Sequence, residues 1–208
     1  MTEEEFEKLL KRGYETRNVE FKGRGSRTHP GFLIKVIRAI LGMAYQHDGG
    51  KVILGVESDP LDAVGFEEDE AKAWLNYDAL ASKVNEYASP PVSFDLEAFS
   101  YQGRRYIEIL VHEFDDIPIL CRRDSGQQGK GRPSLRRGAC YVRALHKPET
   151  SEISSEEEMR ALLELAIDKG VEKFVRRAQR AGLFPPMQPS PMPADIEGLF
   201  KNQAEDLQ

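Results

Sequence analysis

The sequence predicts an α+β domain, a mixed β-sheet with flanking helices, followed by a proline-rich C-terminal extension. Helical and strand-like stretches alternate irregularly, which argues against a doubly wound parallel sheet. One pair of alternating stretches closes on a two-residue turn, as an antiparallel hairpin does. From Leu183 onward the chain reads "LFPPMQPSPMPADIEGLFKNQAEDLQ", too rich in proline for a second core. The boundaries drawn are therefore 1–182 for the domain and 183–208 for the tail.

Each element has a local reason. In "TEEEFEKLLKRG", Phe6, Leu9 and Leu10 fall at helical spacing and Gly13 serves as the C-cap. "NVEFK" alternates, with Val19 and Phe21 on one side and Glu20 and Lys22 on the other, as a half-buried strand does. "GRGSRTHPG" is a loop. "FLIKVIRAILGMAYQ" carries a thick apolar stripe (Leu33, Ile34, Val36, Ile37, Ile40, Leu41, Ala44) and reads as a long core helix. "HDGG" breaks the chain before "KVILGVE", a strand apolar enough to be buried on both faces. "NYDALASKVNEYASPP" is a helix stopped by Pro90 and Pro91. "VSFDLEAFSYQGRRYIEILVHE" is the hairpin, turning at Gln102–Gly103. "DDIPILCRR" and "ACYVRAL" supply further strands on either side of a basic loop, "RDSGQQGKGRPSLRRG". "SEISSEEEMRALLELAIDKGVEKFVRRAQRAG" opens with a Ser/Glu cap pattern and continues as helix.

Composition narrows the class. Hydrophobic content of 40% and charged content of 31% suit a soluble globular protein. No apolar run approaches the roughly 20 residues that span a bilayer, and the acidic N-terminus fits neither a signal peptide nor a transit peptide. Two cysteines, Cys121 and Cys140, make no disulfide framework or zinc cluster, so a reducing cytoplasm is the expected location. The net charge of −6 disfavours a generic DNA-coating protein, but the charge is segregated. Residues 57–78 hold eight acids (Glu57, Asp59, Asp62, Glu67, Glu68, Asp69, Glu70, Asp78) against Lys72 alone. Residues 122–147 hold Arg122, Arg123, Lys130, Arg132, Arg136, Arg137, Arg143 and Lys147 against Asp124. Such a basic stretch fits a phosphate backbone; the alternative is a solvated loop paired with the acidic segment.

Three local motifs bear on chemistry. Glu15 and Glu20 point to opposite sides if both lie on one strand, and meet only if the chain turns at "TRN". Convergent carboxylates need a cation between them, so the residues alone favour a solvated pair. Gly49 and Gly50 follow a helix and open a strand, the reverse of a P-loop, and no Walker motif is present. His29, His47, His112 and His146 are isolated, His47 beside Asp48 being the best placed for a general base. Tyr101, Tyr106 and Tyr141 could stack bases but also suit strand packing.

Taken in order, "ETRNVEFK", "LIKVIRAILGMAYQHDGG" running into "KVILGVES", "AVGF", "IEILVHEFDDIPIL" and "GACYVRALHKPETSEISSEEEMRAL" resemble the Schlafen core, or AlbA-like, domain over roughly residues 10–165. The resemblance implies nucleic-acid binding, and for some members a metal-dependent endoribonuclease acting on tRNA or ribosomal RNA. It implies a catalytic set of Glu15, Glu20, Asp59 and Lys22, with Glu15, Glu20, Glu57 and Asp59 as ligands of Mg²⁺ or Mn²⁺. Arg122, Arg123, Lys130, Arg132, Arg136, Arg137 and Arg143 would track the RNA, or less readily DNA. One departure stands out: Ser58 occupies the position where nuclease members carry a second acid, and Asp59 comes one residue late. Two other readings follow, a non-catalytic nucleic-acid-binding regulatory module and an interaction protein that assembles with a partner or its own twin through Ile196, Leu199 and Phe200 of the tail.

Overall fold

In chain order the elements are α1 (Glu3–Arg12), β1 (Val19–Lys22), α2 (Pro30–Met43), β2 (Gly50–Leu54), β3 (Glu57–Ser58), β4 (Leu61–Asp62), α3 (Glu68–Trp74), α4 (Tyr77–Asn85), β5 (Ala88–Ser89), β6 (Phe94–Tyr101), β7 (Arg104–Val111), β8 (Leu120–Cys121), β9 (Tyr141–Arg143), β10 (Thr150–Glu152) and α5 (Glu156–Arg180). This computed structural model describes residues 1–58, 60–126, 134–144 and 149–183. The chain divides into two compact units, Met1–Gly170 and Val171–Gln208. Asp59, Lys130, Arg132, His146, Lys147 and the tail patch at Ile196, Leu199 and Phe200 lie outside the described residues.

The central sheet has the order β1-β2-β7-β6, with β1 and β2 parallel and the other pairs antiparallel, so the sheet is mixed as expected. The β6–β7 hairpin turns at Gln102 and Gly103, whose positive φ values of 48° and 75° give the backbone the twist a two-residue hairpin loop needs. Strand alternation sorts the side chains into two apolar layers. Glu20, Val52 and Ile109 share one register line, as do Lys22, Leu54 and Ile107. These lines face the larger core, into which α2 sends Val36, Ile37, Ile40 and Leu41. Val19, Phe21 and Ile53 face the other way, against Phe6 of α1, Phe99 and Tyr106. Phe6 is fully buried and meets the rings of Phe99, Tyr101 and Tyr106 at centroid distances of 4.8, 5.2 and 4.8 Å. Loss of such a ring costs about 3–5 kcal/mol, so α1 is part of the fold and not a loose arm.

The helix ends are capped as their residues suggest. Thr2 and Glu5 form a reciprocal capping box on α1, and Gly13 closes it at φ 78°. His29 caps α2, its Nδ1 accepting from the Phe32 N–H at 3.2 Å, with Pro30 in the first turn. Ser155 Oγ accepts from the Glu158 N–H at 3.1 Å at the start of α5. The β9–β10 pair packs close on α2: a Cβ on Gly42 would stand 2.5 Å from Thr150 Cγ2. Only a glycine lets the pair approach the helix this closely. Among the described residues no helix is long and apolar enough to cross a membrane.

Candidate nucleic-acid interface

The turn that would bring Glu15 and Glu20 together is formed. Thr16 and Val19 bridge across it, and Glu15 Oε1 accepts the Phe21 N–H at 2.9 Å. Glu20, alternating outward from Phe21, sits on edge strand β1 facing α2 and the β9–β10 pair, and is only 5% exposed. A carboxylate buried there requires partners. It has three: the Arg143 guanidinium at 2.6 Å and the Thr150 hydroxyl at 2.7 Å donate to Oε2, and the Lys22 ammonium pairs with Oε1.

Arg143 donates to the whole turn. Besides Glu20, it reaches Thr16 O at 2.9 Å, Arg17 O at 3.3 Å, Val19 O at 3.4 Å and Glu15 Oε2 at 3.5 Å. It is 1% exposed. The sequence reading has Arg143 tracking a nucleic-acid backbone; in the structure it is buried against the acid pair, in a strand whose three residues are all buried. Glu15 is partly buried, and burial raises its pKa above the usual carboxylate value; the Phe21 N–H, Lys22 and Arg143 oppose that rise.

Beside the pair opens a polar cleft of about 410 Å³, lined by Glu20, Lys22, Arg24, Lys35, Arg38 and Glu57 among others, with Ser58, Glu149 and Thr150 on its wall. Glu57 extends from β3 across Gly23 and accepts the Arg24 N–H at 3.3 Å, so it borders the cleft rather than joining Glu15 and Glu20. The loop before α2 is held by Trp74, whose indole N–H donates to Gly25 O at 3.0 Å, while the Phe32 ring meets Trp74 edge-on at 5.8 Å. That fixes the first turn of α2 and, one and two turns on, Lys35 and Arg38. Arg38 stacks on Tyr141 at 5.7 Å, and its Nε is buried with no hydrogen-bond partner. Among the described residues no carboxylate pairs with Lys35 or Arg38.

The family model described as Schlafen, AlbA_2 matches residues 15–150. The chain belongs to this family. No curated protein matches it. Among solved structures it is similar to the DIP2311 protein from Corynebacterium diphtheriae, with 19% identity and a TM-score of 0.45 over 66% of this chain and 22% of that one. It is also similar to the N-terminal domain of a protein described as ATP-dependent DNA helicase RecG-related from Nitrosomonas europaea, with 20% identity and a TM-score of 0.45 over 70% of this chain and 94% of that one. The chain thus spans about a fifth of the first of these proteins.

Within this Schlafen-family domain the rest of the expected basic surface is dispersed. Arg122 donates to Asn85 O at 3.4 Å, and Arg123 pairs with Glu86 at 3.4 Å while lying over the Tyr87 ring. Arg136 is held by both oxygens of Glu152, one at 2.9 Å, and Arg137 is exposed beside Asp124. None of these four lines the Glu20 cleft. The acidic segment pairs with Arg24 of the cleft through Glu70, and away from the cleft Glu67 pairs with Arg104 and Glu68 with Arg105. Sequence reasoning missed Lys35 and Arg38, whose i,i+3 spacing on the polar side of α2 was the available signal. The tyrosines are structural: Tyr106 and Tyr101 pack with Phe6, and the Tyr141 hydroxyl accepts the Arg136 N–H at 2.7 Å. His47 is exposed near Asp48 and Glu113, and these three are the one group among the described residues whose ligand atoms lie close enough together to hold an ion, with Lys169 already 3.1 Å from Glu113.

A divalent ion fits the Glu15–Glu20 pair poorly. Both oxygens of Glu20 face cationic or hydroxyl donors, and those of Glu15 face the Phe21 N–H and Arg143. A small hard cation requires near-octahedral access to free oxygen lone pairs.

Proposed function

We propose that this domain binds the phosphate backbone of a polynucleotide in the cleft between β1 and α2, as a binding module and not as a nuclease. The observation that carries the reading is the pair Lys35 and Arg38, which lines a polar cleft with no carboxylate partner among the described residues. A phosphate group can pair with the accessible ammonium of Lys35 and the outer guanidinium N–H groups of Arg38, and a guanidinium suits it. Lys22 and Arg24 would hold the edges of the same ligand, and exposed Arg122 and Arg137 would extend the field beyond it.

Such contacts read backbone and shape, so RNA, including tRNA-like structure, and single-stranded DNA both belong in the test. Cleavage by Glu15, Glu20, Asp59 and Lys22 with Mg²⁺ or Mn²⁺ is not part of the proposal, because the described carboxylates are engaged within the chain. Fluorescence anisotropy with labelled single-stranded RNA, tRNA and single-stranded DNA checks the reading. K35E/R38E should weaken binding at least tenfold, and R122E/R137E by less. Equal affinity for the wild type and K35E/R38E refutes it.

A further inference from the structure

We infer that Arg143 is the resident cation of the Glu15–Glu20 pair, a built-in replacement for a metal ion that also positions one wall of the cleft. Two carboxylates converge in a buried corner, and two cationic side chains of the same chain, Arg143 and Lys22, meet them there. The charges balance without an ion. A dication brought to the same oxygens would stand beside a buried guanidinium, where repulsion is weakly screened. The guanidinium has no easy way out: it is 1% exposed and also bonded to the carbonyls of Thr16, Arg17 and Val19.

The same contacts make the arrangement a clasp. β9 pairs with β10, Thr150 of β10 donates to Glu20, and both Thr150 and Glu149 line the cleft. Tying Arg143 to the 15–20 turn therefore ties the β9–β10 wall to the edge of the sheet opposite Lys35 and Arg38. Arg143 is a positioning residue, acting on the cleft through strand placement.

The test needs no nucleic acid, so its outcome is separate from that of the binding proposal. The ¹⁵N-labelled chain is titrated with Mn²⁺, whose unpaired electrons broaden nearby amide signals. The expected result places the strongest broadening at substoichiometric Mn²⁺ away from Glu15 and Glu20, on a surface such as that of His47, Asp48 and Glu113, with only weaker, distance-graded loss at neighbouring residues 17, 18, 142 and 143. Selective broadening of residues 15–22 at substoichiometric Mn²⁺ overturns the inference. A second arm uses R143M, which removes the guanidinium from the acid pair: Mn²⁺ should raise its melting temperature by several degrees more than that of the wild type. An Mn²⁺ shift of equal size in both proteins also overturns it.

Discussion

Replacing Arg143 with methionine is the sharpest perturbation of the clasp. Methionine fills similar volume but donates nothing, leaving Glu20 without its 2.6 Å partner and three backbone carbonyls of the turn without a donor. Removing one member of a buried ion pair costs about 3–5 kcal/mol, chiefly because the remaining charge is stranded. For a domain of this size each kcal/mol lowers the melting temperature by about 2–4 °C, so R143M should melt about 6–20 °C below the wild type. Circular dichroism melts and urea titration measure this directly. Adding Glu20→Met to R143M removes the stranded charge as well, and should recover much of the loss. An R143M variant within about 1 kcal/mol of the wild type would show that the guanidinium does not hold the turn.

Three further outcomes follow from the same geometry. Burial holds the Glu15 pKa above the ordinary 4.5, while Glu20, Lys22, Arg143 and the Phe21 N–H surround it. The folded state thus keeps a proton that the unfolded chain releases, so this group's contribution is complete below that value and is lost as pH rises through the folded pKa. The melting-temperature difference between E15Q and the wild type should move in favour of the variant from pH 4 to pH 7, and a constant difference contradicts the assignment. Gly42→Ala sets a methyl 2.5 Å from Thr150 and should cost about 1–3 kcal/mol by urea titration, with the β9–β10 wall displaced. Thr150→Val removes the hydroxyl donor to Glu20 and should cost about 1–3 kcal/mol, since a buried acceptor loses a partner.

The frame of the domain was legible because short-range periodicity decided it. Alternation in "NVEFK" separated Val19 and Phe21 from Glu20 and Lys22, and the structure places them in opposite layers. The Gln102–Gly103 turn, the Gly13 cap and the apolar stripe of α2 are likewise local signals. The site was less legible because its partners are far apart in sequence. Arg143 lies 123 residues from Glu20, and counting charge along 122–147 cannot show that this one arginine is buried on that partner. Lys35 and Arg38 were hidden for the opposite reason: on a helix read for its buried stripe, the polar face looks like ordinary solvated surface. Convergence of Glu15 and Glu20 involves a turn whose carbonyls accept from Arg143, and nothing within "TRN" reveals that partner.

The salt dependence of polynucleotide binding in EDTA tests the central claim most directly. With metal removed, the wild type should still bind single-stranded RNA, log K should fall steeply with log salt, and K35E/R38E should lower that slope by about 1.4 if two phosphate contacts are lost. A flat salt response, or binding that vanishes in EDTA and returns with Mn²⁺, would contradict a metal-independent phosphate cleft.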